Sequence, residues 1–190
     1  MQEQFSPQES LQLIQSMISK TKADLGENRF YFLLWGWTSF IAIAGQYLLK
    51  VVFSYEHHYI IWLLTVVAAV ITVMHLRTRS SRERVWTYVG ENMSYLWMGL
   101  GISFFILSII FSKMGWQYCY PVYILLYGLG TFVSGRIIKF RPLVVGGIIN
   151  WALAAASVFF YFDQQMLFAA AAIFSSYIIP GHLLGKAKTT

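Results

Sequence analysis

Residues 26–37 read Gly-Glu-Asn-Arg-Phe-Tyr-Phe-Leu-Leu-Trp-Gly-Trp, where a polar, mixed-charge N-terminal segment passes into an apolar run of membrane length. A shortened echo, Gly-Glu-Asn-Met-Ser-Tyr-Leu-Trp-Met-Gly, stands at residues 90–99. In both places Gly-Glu-Asn is expected to close a polar amphipathic segment. Leu34-Trp35 and Leu96-Trp97 then fall at comparable depth in the span that follows. Two junctions of one kind imply repeated helix pairs, each entered from the same side of a bilayer.

Composition agrees. Of 190 residues, 57% are hydrophobic and 12% charged, about half the charged fraction of a soluble domain, and mean hydropathy is +0.57. Trp and Tyr gather near the ends of the apolar runs, where an interfacial belt needs them. The expected class is all-α, a polytopic membrane protein in a single membrane domain. Cys119 is the only cysteine, which excludes an internal disulfide and argues against a cysteine-rich metal site. The first 29 residues lack an early apolar core and a small-residue cleavage site, so no cleavable signal peptide is expected.

Residues 1–28 are read as a cytoplasmic amphipathic helix. Ser6-Pro7-Gln8-Glu9 supplies a cap, a first-turn proline and a capping-box glutamate. Leu11, Ile14, Ile18 and Leu25 follow at helical spacing, and Gly26 is placed to stop the helix. Such a helix either packs on its own membrane domain and the interface, or docks a cytoplasmic protein.

The membrane domain is assigned to residues 29–185, and residues 186–190 form a short basic tail. Six spans are expected, at about 30–49, 59–76, 95–111, 118–135, 142–162 and 166–184, because a ~30 Å hydrocarbon core takes ~20 apolar residues. Val85–Val89, after the basic stretch Arg77–Arg84, is expected to lie as a short amphipathic helix on the membrane surface, and Asp163-Gln164-Gln165 to form a tight outer turn. With the N-terminus in the cytoplasm, twelve of the 14 basic residues fall on the cytoplasmic side and only Lys50 and Lys113 fall outside. That bias predicts an inner (plasma) membrane protein with both termini inside. It accounts for the net charge of +6 by topology and argues against nucleic-acid binding. Met74-His75-Leu76, Gly135-Arg136-Ile137 and Gly181-His182-Leu183 recur at the ends of the even spans, which groups the helices as three hairpins.

No Asp or Glu lies within an apolar run, which argues against carboxylate proton relays, ion-coupled transport and acid-pair hydrolysis. His75, Arg136 and His182 stand at the cytoplasmic ends of the even spans. Either they converge on an anionic headgroup or phosphate, or each anchors its own helix end by snorkelling. Asn150, in a Gly146/Asn150/Ala154 stripe, either makes an interhelical hydrogen bond or lines a cavity, and Gln46 reads the same way. Pro180 frees the Ser176 carbonyl and either kinks the sixth helix or ends it early. Glu56-His57-His58 offers too few ligands on one face for a metal, and Cys119 has no basic neighbour to make it a nucleophile. Gly99-Leu-Gly101 and Gly128-Leu-Gly130 are read as helix-packing sites. No G-x-S-x-G, Walker A or H-E-x-x-H motif occurs, and no cofactor is implied.

The six-span, three-hairpin layout resembles that of HdeD-like bacterial membrane proteins, and its size and span count resemble the substrate-binding components of energy-coupling-factor transporters. The Leu33-Leu34-Trp35-Gly36-Trp37 stretch after an amphipathic helix looks most like small bacterial membrane proteins to which no activity is attached. These resemblances concern topology and carry no site residues. The expected role is non-enzymatic, structural or regulatory, with membrane lipids, a second copy or a cytoplasmic protein as partners. The alternative is a small-molecule or lipid-binding transport component with a cavity between hairpins.

Overall fold

The computed structural model describes residues 29–80 and 88–187. The amphipathic helix assigned to 1–28, most of the surface segment at 85–89 and the end of the basic tail lie outside them. The described residues form six helices and no strand. Helix α1 is Arg29–Val52, ending in a π-helical turn at Leu48–Val52. A 3-10 turn, His58–Trp62, leads into α2, Leu63–Ser80. Then come α3, Tyr88–Met114, α4, Cys119–Ile137, and α5, Arg141–Ser157. Helix α6 joins Phe162–Ile173, a π-helical turn at Phe174–Ile178 and Ile179–Ala187.

Four of the six, α1, α2 with its 3-10 turn, α3 and α6, are long and apolar enough to cross a membrane. Helix α5 has 17 residues, and α4 carries three glycines, three tyrosines and Arg136. These two form the most closely packed pair. A Cβ on Gly147 would lie 2.7 Å from Phe132 Cβ and 2.8 Å from the Gly128 carbonyl oxygen, and one on Gly135 would lie 2.7 Å from the Val144 nitrogen. Pairings 128/150, 132/147 and 135/144 make the two helices antiparallel. Helices that meet each other need less apolar side chain than helices that meet lipid, and small residues let their backbones approach. Conversely, α2 buries 6% of its apolar window and turns Val66, Val67, Val70, Ile71 and Val73 outward.

Several boundaries differ from expectation. Helix α5 stops at Ser157, not near Phe162, and Asp163-Gln164-Gln165 belong to the first turn of α6. The backbone at Tyr161 is extended, its N–H donates to Gln164 Oε1 at 3.3 Å, and Asp163 places a negative charge at the helix start, where the macrodipole favours it. Gly90-Glu91-Asn92 lies inside α3, which begins at Tyr88 and runs on through it. Gly26-Glu27-Asn28 is outside the described residues, so the echo survives as sequence alone. Gly128 and Gly130 meet Trp151 and Leu100 as packing sites should, but added Cβ atoms at Gly99 and Gly101 would meet nothing within 4 Å. Pro180 does not end α6, which runs on to Ala187. The wide π turn before it, with the Ile179 N–H bonded to the Phe174 carbonyl, accommodates a residue that has no N–H and crowds the preceding turn.

The α4–α5 connection is a Schellman turn. The Phe140 N–H donates to the Gly135 carbonyl at 2.8 Å, the Lys139 N–H points to the Arg136 carbonyl, and Lys139 takes the left-handed position at φ 54°. Pro142 then opens α5, where its missing N–H is not needed.

Candidate functional site

The residues singled out from the sequence fall at three levels of the bundle. At the end that carries Arg29, His75 faces α1. Its Nδ1 lies 3.0 Å from Tyr31 Oη, and its ring stacks on Phe30 with centroids 4.6 Å apart. Arg136 and His182 are exposed on α4 and α6. Among the described residues, no side-chain hydrogen bond, ion pair or ring contact joins these three to one another. His75 therefore ties α2 to α1, and the other two head groups stay at their own helix ends.

At mid-depth, Asn150 is fully buried, and its Nδ2 donates to Ser176 Oγ at 3.0 Å. Ser176 Oγ in turn donates to the Ala172 carbonyl. Gly146 clears the way, since a Cβ there would stand 2.9 Å from Ser176 Cα. The Gly146/Asn150 stripe thus seats the π turn of α6 against α5. Four side-chain atoms are buried without a partner among the described residues: Asn150 Oδ1, Ser134 Oγ, Gln165 Oε1 and Tyr177 Oη.

Polar chemistry concentrates at the opposite end. Gln46, 5% exposed, joins three elements: its Oε1 accepts from Trp62 Nε1 and from Tyr120 Oη, and its Nε2 meets His58 Nδ1 at 3.1 Å. Next to it the π turn of α1 carries Lys50 to Asp163, in a salt bridge that closes the end of α1 onto the start of α6. The Lys50 ammonium also sits 4.5 Å above the centroid of Phe162. Each charge matches its helix, since a cation suits the end of α1 and an anion the beginning of α6. Both lie within electrostatic reach of the His58 ring.

Lys50 and Asp163 line a cleft of about 500 Å3, completed by Gln117 and Tyr118 from the α3–α4 turn and by the stretch 158–162. Neither Asn150 nor Gln46 lines it. The sequence reading named Gln46 and missed Lys50 and Asp163, although two lone opposite charges beside apolar runs were a usable signal. Their pairing spans 113 positions of chain and follows from no local pattern.

No family model matches this chain, and no curated protein or solved structure matches it either.

Proposed function

We propose that all six helices cross the inner (plasma) membrane as three hairpins with both termini in the cytoplasm. The protein then serves a non-enzymatic, structural or regulatory role, contacting lipid or a cytoplasmic partner through its amphipathic segments. The observation that carries this reading is how the bundle interior is filled. Helices α4 and α5 meet with no room for a Cβ at Gly135 or Gly147, and the buried amides Gln46 and Asn150 are each hydrogen-bonded through nitrogen to a neighbouring element, the 3-10 turn before α2 and α6 respectively. A centre of that kind is a scaffold. It favours the structural role over a transport component, whose cavity would lie between the hairpins.

The topology is supported by charge. Arg29, Arg77, Arg136, Lys139 and Arg141 belong to one set of helix ends, Lys50 and Lys113 to the other. Single cysteines at Lys139 and Lys113, in a Cys119→Ala background, test it with an impermeant thiol reagent. Labelling of position 113 in intact cells, and of position 139 only after the membrane is opened, is the expected result. Labelling of both from one side overturns the six-span arrangement. Native mass spectrometry of gently purified full-length protein tests the role: adducts of lipid, a second copy or a stoichiometric protein support it. A tightly retained non-lipid small molecule would replace it with the transport-component reading.

A further inference from the structure

We propose that the cleft between Lys50 and Asp163 binds a phosphate–ammonium zwitterion, the chemistry of a phosphoethanolamine headgroup. The inference rests on the membrane reading above but not on which side the cleft faces or on the protein's role.

Of the nine residues lining the cleft, Lys50 and Asp163 alone carry formal charge, so the site is net neutral with a built-in dipole. A simple anion would be repelled by Asp163, and a simple cation by Lys50. A ligand that is itself neutral and dipolar meets both with matching sign. The pair is open to exchange, with the lysine and aspartate side chains 33% and 46% exposed, and a bridge that exposed holds its partners only weakly.

The lysine also shows where the ligand's cation would sit. An ammonium already rests 4.5 Å over the Phe162 ring and beside the Asp163 carboxylate, a position stabilised both by the ring quadrupole and by the anion. In the bound state the ligand ammonium takes that place. Lys50 swings by its flexible stem to the phosphate, and Gln117 and Tyr118 supply donors beside it. The cleft's remaining wall, Val158–Tyr161, is apolar and aromatic and exposed, with Phe159 and Tyr161 at 87% and 86%, as suits the glycerol and upper acyl region of a lipid. Lys50 stands in the π turn Leu48–Val52 that ends α1, a local departure that often marks functional positions.

The headgroup can come from phosphatidylethanolamine or from a free phosphoethanolamine, and one experiment separates these sources. Full-length protein in detergent is titrated by native mass spectrometry with phosphatidylethanolamine, with phosphatidylglycerol of the same chains, and with soluble phosphoethanolamine. We expect phosphatidylethanolamine to be retained at least about fivefold over phosphatidylglycerol, an advantage lost in Asp163→Asn and in Lys50→Gln. Retention of soluble phosphoethanolamine with the same sensitivity would support the site and identify a soluble ligand. If Asp163→Asn does not fold, Phe162→Leu, which keeps an apolar side chain and removes the cation's ring, carries the test and should lose the same preference. Equal retention of the two lipids by the wild-type protein overturns the proposal. So does a preference left intact in the folded variants. Neither result bears on the cysteine-labelling pattern or on whether a small molecule copurifies, so failure here leaves the structural role standing.

Discussion

Trp62 Nε1 donates to Gln46 Oε1, and because an indole nitrogen can only donate, this contact decides which way round the Gln46 amide lies. Its Nε2 must then face His58, so His58 Nδ1 accepts and the proton of the neutral ring stands on Nε2. Nitrogen NMR of ring-labelled protein at neutral pH is expected to find His58 in the Nε2–H form. A dominant Nδ1–H form would contradict the assignment.

The same amide is the joint of its end of the bundle, since it bonds α1 to the 3-10 turn before α2 and to α4. Hydrogen bonds inside membrane proteins contribute on average ~0.6 kcal/mol each, so replacing Gln46 by Leu, which removes three, should cost about 2 kcal/mol. Tyr120→Phe removes one and should cost about a third as much. Reversible unfolding in mixed micelles measures both. Equal costs would mean that the three bonds do not act through Gln46.

How much of this was readable beforehand varies with range along the chain. The apolar runs announced the helices because a membrane imposes length and hydropathy locally. Asn150 was readable as an interhelical contact from its Gly146 neighbour one turn away, although its partner Ser176 was not. The end of α5 was not readable: Val158-Phe159-Phe160-Tyr161-Phe162 continues the apolar run with no glycine or proline to break it. There the chain turns because Gln164 and Gln165 satisfy backbone groups at Tyr161 and Phe160, a local side-chain-to-backbone solution with no hydropathy signature. His75 was grouped with Arg136 and His182 by position in a repeat, whereas its contacts are set by Phe30 and Tyr31 on the adjoining helix. Repeats align residues in sequence, and packing then chooses neighbours on its own terms.

Lys139 adopts a left-handed backbone, φ 54°, in the position of a Schellman turn that glycine usually fills. A side chain there costs ~1–2 kcal/mol of strain, of which glycine's greater unfolded freedom returns up to ~1 kcal/mol. Lys139→Gly should therefore stabilise the protein, by about 0.5 kcal/mol, although it deletes a basic residue. Thermal unfolding in detergent reads the gain, and cysteine labelling at position 113 reads the topology. Other basic residues, Arg29, Arg77, Arg136 and Arg141 among them, share that set of ends, so the orientation should be unchanged. A lowered midpoint would show that the lysine makes a contact worth more than the strain.

The glycines separate two surfaces that sequence alone treats as equal. Gly128-Leu-Gly130 and Gly99-Leu-Gly101 are the same pattern, yet the first pair packs against Trp151, Leu100 and Trp97 while the second faces open space. Gly147, on α5, is tighter still, because two of the atoms an added Cβ would strike are backbone, the Gly128 carbonyl oxygen and the Phe132 nitrogen, and neither can rotate aside. Alanine at 147 must push α4 and α5 apart, a shift of the kind that costs ~1–3 kcal/mol in a packed interior. Alanine at 99 or 101 meets no neighbour and removes a flexible residue from a helix, which should stabilise by about 0.5–1 kcal/mol. Unfolding midpoints of the three single variants are expected to fall on opposite sides of the wild type. If Gly99→Ala or Gly101→Ala instead weakens the protein, and does so in proportion to dilution, that face of α3 is covered by a second copy of the chain and the glycines are an intermolecular contact.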